Sequence, residues 1–525
     1  MLSRHLCEAV KATRNQSLIY RSCLPALQIR NTSTTTTSKG QAISISNLTP
    51  SANLEPNQRP KLDLTFEDSK TAFKSKSTLE LLRGYLVFQL CSLNFLVNNQ
   101  KTLLSISRKV LGKKLFSQLM KMTFYGHFVA GEDQNEIRKN VENMMKYGVK
   151  SILDYSAEED LASENSVKDK NEEFTNVTSG SKKYFDPSEF QSDKNKKIFM
   201  DCIDAVSNVT HQTGIAAVKV TSLVRPALLL KLSSFISQLK QLENHFDLLK
   251  WDDIMKMSDQ DFENLFNRTK NLENLNFTQS ELGELRNMFE RIDEIVKHAV
   301  DKNVRVFVDA EQTYFQDAIH RITVEIMRKY NRNRCVVLNT YQNYLKSAYD
   351  TLKKDIEIAS KENCYFGAKL VRGAYMEQER ERAMQMGYED PINESYEATT
   401  KMYEKSLIYC LEEIKKNPLG RISVMVASHN EATVKFAVEK MTEYNIKPDE
   451  RIICFGQLLG MCDYISFYLG GVGYSVYKYV PYGPVEEVLP YLSRRATENR
   501  GIFEKVQKEK RLLLTEIKRR MLSFD

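Results

Sequence analysis

Val304-Arg-Val-Phe-Val-Asp309, an amphipathic stretch, then Arg334-Cys-Val-Val-Leu-Asn339 is the pattern that decides the fold of this 525-residue chain. Each run is short, rich in β-branched residues and closed by a polar side chain, as a buried strand is. Helical periodicity fills the space between them. Two such strands joined by a helix pair in parallel, because a tight hairpin cannot connect parallel strands.

The same texture recurs along the chain. The other runs are Val149–Tyr155, Ile215–Thr221, Cys364–Val371, Arg421–Ala427, Arg451–Phe455 and Gly473–Lys478, giving eight in all. Eight strand–helix units predict an α/β fold, a (β/α)8 TIM-type barrel over 148–498, with its site at the C-terminal strand ends. Residues 224–302 are expected to form a helical insertion and 157–195, rich in Glu, Asn, Ser and Lys, a mobile loop. Residues 68–147 show helical spacing alone and predict an N-terminal helical region, preceded by a linker over 41–67. Residues 499–525 read as a basic C-terminal helix.

Residues 1–40 carry Arg4, Lys11, Arg14, Arg21, Arg30 and Lys39 against Glu8 alone and are rich in Ser and Thr. That composition predicts a mitochondrial transit peptide. The net charge of +7 is mild, and no basic stripe interleaves with aromatics, so nucleic acid is not an expected partner. The nine cysteines form no C-x-x-C pair and the seven histidines no H-x-H or H-E-x-x-H, so neither a disulfide framework nor a metal is expected.

Polar residues close the predicted strands: Lys219 in the second, Asp309-Ala310-Glu311 in the third, Asn339 to Gln342 in the fourth. Lys369 to Tyr375 lie at the fifth, Ser428-His429-Asn430 at the sixth, and Tyr479 onward at the eighth. A lysine inside an apolar strand needs a partner. On a helix, Tyr491, Arg494, Arg495 and Glu498 fall on one face. Two adjacent guanidiniums beside an aromatic ring suit a small carboxylate ligand, which Arg grips bidentately.

The motifs Leu153-Asp-Tyr-Ser-Ala-Glu-Glu159, Phe307-Val-Asp-Ala-Glu311, Leu338-Asn-Thr-Tyr-Gln342, Gly367-Ala-Lys-Leu-Val-Arg-Gly-Ala-Tyr375 and Tyr491-Leu-Ser-Arg-Arg495 occur in this order. Together they resemble the proline dehydrogenases, in the mitochondrial animal-type form. The resemblance implies FAD on a distorted barrel with the last helix over its mouth. It implies oxidation of L-proline to Δ1-pyrroline-5-carboxylate, with ubiquinone as electron acceptor, on the matrix side of the inner mitochondrial membrane. By the same resemblance, Arg494 and Arg495 grip the substrate carboxylate, with Lys219 near it and Asp309 near the substrate end of the flavin. Leu370, Tyr375, Tyr479 and Tyr491 wall the ring. Ala310, Val371, Arg372, Gly373, Ala374, Ser428, His429 and Asn430 contact FAD, as does either Asn339 or Gln342. Lys369 stands where bacterial members often carry an arginine near the flavin N5.

Two other readings are a hydroxyproline dehydrogenase, which the bulk of Tyr479 disfavours, and a catalytically silent matrix scaffold of the same fold. The basic face of Ile502–Leu522 is compatible with an anionic membrane or with a helix packed on the barrel.

Overall fold

Each of the eight apolar runs forms a strand: β1 Val149–Tyr155, β2 Ile215–Val218, β3 Arg305–Val308, β4 Val337–Gln342, β5 Phe366–Val371, β6 Ile422–Ala427, β7 Ile453–Leu458 and β8 Val476–Tyr482. They close into one parallel barrel in sequence order, β8 pairing with β1 from Val149↔Val476 to Tyr155↔Tyr482. The computed structural model describes residues 62–155, 187–210, 213–241, 250–267, 275–417, 420–501 and 503–522. All lie within the unit Leu48–Asp525.

Strand alternation sets two faces. Ile152, Ile215, Ala217, Phe307, Leu338, Met425, Cys454 and Tyr477 pack together inside the barrel. β5 contributes Gly367 to this layer, where a Cβ would lie 2.5 Å from Leu338 Cγ; the glycine makes room for the leucine. The outward residues, Val218, Val306, Val308, Leu370, Val424 and Val426 among them, join the large core under the helices. β4 begins three residues later than the apolar run because the Asn331 side chain accepts from the backbone N–H of Val336 and Val337 and holds the turn before it.

Among the described residues four α-helices, Pro226–Gln241, Trp251–Lys256, Asp259–Asn267 and Gln279–Asp301, separate β2 from β3, where a minimal unit would place one. The expected loop lies outside the described residues as far as 186, but from Pro187 the chain is helical through Val209. Proline suits a first helical turn, and Arg291 anchors this turn through Glu189 and Asp193. The predicted transit peptide lies outside the described residues, as does the linker up to 61. The end of that linker is docked: Phe66 is buried against Tyr464 and Tyr468.

The N-terminal region is helical, including Thr78–Cys91, Asn94–Asn98, Gln100–Met122 and Phe124–Phe128. After β8 the chain turns at Gly483 and enters the helix Leu489–Gly501, which therefore continues past the expected boundary at 498. This helix buries Tyr491, Leu492 and Ala496 against Val87, Phe116, Tyr125 and Met461, with Leu458 of β7 packed alongside. It thus lies over the β7–β8 side of the mouth. The last helix, Phe503–Leu522, packs chiefly on Thr78–Cys91 and also on the barrel helix Asp463–Gly471. Its Lys508 reaches Glu431, its Arg511 Glu67, and its Arg520 the carbonyls of Phe73 and Lys76.

Candidate active site

Inward positions one step above the interior layer bring five charged or phenolic side chains together. Lys369 Nζ lies 2.6 Å from Asp309 Oδ1, and the Tyr479 hydroxyl donates to Asp309 Oδ2 at 3.1 Å. The Lys369 ammonium also stands 5.3 Å from the Tyr479 ring centroid and 5.4 Å from that of Phe307. On β1 and β2, between β8 and β3, Lys219 Nζ is 3.4 Å from Asp154 Oδ2. Burial, then the Asp154 and Asp309 carboxylates, hold the Tyr479 hydroxyl well above the usual tyrosine range. It therefore stays a proton donor.

Glu311 sits just past β3, accepting from the Thr221 hydroxyl at 2.8 Å. Burial pushes its carboxyl up to about 7, against the opposing pull of Thr221 and Lys219. Gln342 donates to the Glu311 carbonyl at 3.0 Å, while its buried amide oxygen has no hydrogen-bond partner among the described residues. A buried acceptor of this kind suits a ligand N–H.

A second cluster lies at the ends of β5, β6 and β7. The Arg372 guanidinium stacks on the Tyr396 ring at 3.9 Å and donates to Thr400 Oγ1 and the Tyr396 carbonyl. Asn430 caps the next helix through the Ala432 N–H and donates to the Tyr396 hydroxyl. His429 Nε2 accepts from the Leu458 N–H at 2.9 Å, which fixes the tautomer with the proton on Nδ1. Gly373 adopts φ 137°, and a Cβ there would meet the Tyr344 ring at 2.3 Å, so the turn after β5 requires glycine. Val371, Arg372 and Tyr375 are half-buried, Gly373 and Ala374 exposed; Ala310 is half-buried and Ser428 buried.

Above both clusters, Arg495 is buried with its guanidinium 4.9 Å from the Tyr491 ring centroid, and Arg494 is half-buried. Tyr491 lies near enough to Tyr479 to contribute to the rise of its hydroxyl. The side chain of Glu498 lies outside the described residues.

Leu370 is a corrected expectation, and of the two alternatives on the fourth strand Asn339 is the one that does not reach the mouth. Asn339 faces away from the mouth: its amide bonds to His320 Nδ1 at 3.0 Å, in the helix layer. Gln342, three positions on and of opposite parity, is the fourth-strand amide at the mouth. Leu370 also points outward, fully buried under the helices, because its neighbour Lys369 points in. The apolar wall on the covering helix's side comes instead from Leu458, in register with Tyr479 and packed against the Tyr491 cluster. Asp154, which lies in the first motif but is given no role by it, and Tyr396, outside every motif, are further site residues. The parity of β1 exposes the first, since Ile152 is interior; nothing local in the sequence marks the second.

A family model described as proline dehydrogenase matches residues 137–508. The chain is 44% identical to the Drosophila melanogaster protein named proline dehydrogenase 1, mitochondrial, over 89% of this chain and 82% of that one. It is 38% identical to a Xenopus laevis protein named hydroxyproline dehydrogenase, over 88% and 91%. Among solved structures it is similar to proline utilization A from Bdellovibrio bacteriovorus, at TM-score 0.54 and 18% identity over 85% of this chain. It spans 40% of the length of that protein, and the likeness is one of fold.

Proposed function

The chain belongs to the proline dehydrogenase family, and from that premise we propose that it oxidises L-proline to Δ1-pyrroline-5-carboxylate with FAD in mitochondria, passing electrons to ubiquinone in the inner membrane. The observation that carries this reading is the Arg494–Arg495 pair beside Tyr491, on a helix over a mouth lined by Lys369, Asp309 and Tyr479.

Proline is a zwitterion with one carboxylate and a small apolar ring. Arg494 and Arg495 supply guanidinium forks for the carboxylate, with Lys219 as a third cation. Tyr479, Tyr491 and Leu458 exclude water from the ring, and Tyr375 borders it. Fixing the ring in one pose contributes several kcal/mol, up to about 7–11 in ideal cases. Asp309 orients both Lys369 and the Tyr479 hydroxyl. No side chain is needed as a dedicated base if the substrate amine loses its proton to solvent.

The residues present fit a flavin dinucleotide. Gln342 offers a buried, unpartnered acceptor for a ring N–H, and Lys369 a cation beside the substrate. Arg372 supplies positive charge, while Ser428, His429 and Asn430, with Ala310 and Val371 to Ala374, would hold the rest. The chemistry a bound flavin supplies is two-electron oxidation of the ring C–N bond.

The test compares wild type with Arg494→Met and Arg495→Met in reduction of the bound flavin by proline. Losing a used charge-assisted contact weakens apparent proline affinity by about 1.5–3 kcal/mol. Unchanged affinity in both variants would remove the carboxylate clamp. Turnover of 4-hydroxyproline above that of proline would replace the substrate with the hydroxylated one.

A further inference from the structure

We propose that the outward faces of the helices Thr78–Cys91 and Gln100–Met122 dock on an anionic lipid bilayer. The proposal deepens the reading above, on whose membrane-borne acceptor it rests for its purpose, by naming the surface that meets the membrane.

Large apolar side chains are left in water here to an extent seen nowhere else in the described residues. Eleven of the nineteen exposed large hydrophobics fall between Leu79 and Met122. They form stripes at helical spacing. Leu79, Leu82 and Leu86 lie on the side of their helix away from the buried Leu81, Val87 and Phe88, with Leu79 78% exposed. Beyond a break at Gly112, where φ is 69°, Leu115, Leu119 and Met122 form a second stripe while Phe116 and Met120 face inward. Apolar stripes of this kind, left in water on two helices, call for something to cover them.

The charge identifies what covers it. Between Glu80 and Glu132 the chain has no Asp or Glu, but carries Arg83, Lys101, Arg108, Lys109, Lys113, Lys114 and Lys121. Lys109, Lys113 and Lys114 are exposed among the apolar stripes. Leucine-rich faces interleaved with lysine suit the boundary between acyl chains and anionic headgroups. A second copy of this chain would bring like charge against like charge. No helix of the described residues is long and apolar enough to cross a membrane, so the surface lies on the bilayer.

The basic C-terminal helix is the weaker surface, because its Lys508, Lys510, Arg511 and Arg520 are spent on contacts within the molecule. The opposite sides of the two docking helices share one apolar cluster with Tyr491, Leu492 and Ala496 of the helix bearing the arginine pair. Docking therefore sets the site beside the membrane.

The test is co-sedimentation of the full chain with vesicles of phosphatidylcholine and phosphatidylglycerol, against vesicles of phosphatidylcholine alone. Wild type is expected to bind the anionic vesicles, less so as salt rises. Lys109→Glu, Lys113→Glu and Lys114→Glu combined should weaken binding on the order of 100-fold, at roughly fivefold per lysine. Val110→Asp with Leu115→Asp should abolish it. Proline turnover with a soluble dye acceptor, which reads the proposed function alone, is expected unchanged in both. Vesicle binding that survives both variants overturns the proposal. So does a lipid-free dimer that the apolar variant dissociates, with no vesicle binding by wild type; the face would then join two copies.

Discussion

Lys478 and Tyr479 are neighbours on β8, yet they belong to two ionic clusters on opposite sides of the barrel wall. Tyr479 points in, to Asp309, Lys369 and the pair Lys219–Asp154. Lys478 points out, fully buried, with its ammonium 2.8 Å from Asp463 Oδ1 and 2.5 Å from the Met461 carbonyl. Lys76, from the N-terminal region, closes the second oxygen of Asp463 at 3.0 Å. Glu509 of the last helix accepts from the Cys462 and Asp463 N–H groups. Both clusters are lysine–aspartate chemistry. The outer one ties three distant segments together and is closed. The inner one meets at a mouth, with the helix that carries Arg494 and Arg495 beside it. Residue type does not separate structure from function here; the side of the strand does.

The largest effect that would break this contrast is on stability. Burial alone would raise the Asp463 carboxyl, but the Lys478 and Lys76 ammoniums hold it well below the usual carboxylate range. Removing one partner of such a pair leaves a desolvated charge. Lys478→Met should therefore cost about 3–5 kcal/mol in denaturant unfolding. Lys369→Met, in the inner cluster, should cost less in stability and more in proline turnover. If the two variants exchange these ranks, the assignment of roles to the two faces is wrong.

The next effect sharpens the contrast through pH. Glu311 has its carboxyl raised from 4.5 to about 7, chiefly by burial. A raised folded-state value means the proton is bound more tightly in the folded chain. The stabilisation is fully present below about 4.5 and is lost as pH rises through about 7. Glu311→Gln keeps the neutral shape. Its stability relative to wild type should rise by about 3 kcal/mol between those limits, from a shift of 7 − 4.5 = 2.5 units at about 1.36 kcal/mol each. The measurement is unfolding free energy against pH for both proteins, and parallel curves would show that Glu311 does not titrate there.

The barrel was legible because its strands are short β-branched runs bounded by turn residues, and that signal survives without any tertiary information. The strand-end residues were legible for the same reason, since a polar group closing an apolar run stands out. Leu370 was misplaced, and the choice between Asn339 and Gln342 stayed open, because a motif read as a line ignores that successive side chains alternate faces. The outer cluster was hidden more deeply. Lys478 inside Tyr-Lys-Tyr looks in sequence just as Lys219 does inside its own strand, and its partners arrive from Lys76, Asp463 and Glu509, brought together only by folding. The docking of Phe66 and the stacking of Tyr396 under Arg372 are likewise tertiary facts.

The smallest effect asks how much of the inner cluster's work belongs to one hydroxyl. Tyr479→Phe keeps the ring against Lys369 and deletes the hydroxyl that donates to Asp309 and also meets Asp154. Asp309 retains Lys369 at 2.6 Å, so it is not left bare. The loss should then sit at the low end for a bond to a charged group, about 1.5 kcal/mol or roughly tenfold in kcat/KM for proline. Stability should barely move, in contrast to Lys478→Met one residue away. The same position tests the substrate: if ring bulk is what excludes a 4-hydroxyl, Tyr479→Phe keeps the preference for proline and Tyr479→Ala relaxes it. A hydroxyproline-to-proline ratio that rises already in the phenylalanine variant would move the discrimination from the ring to the hydroxyl.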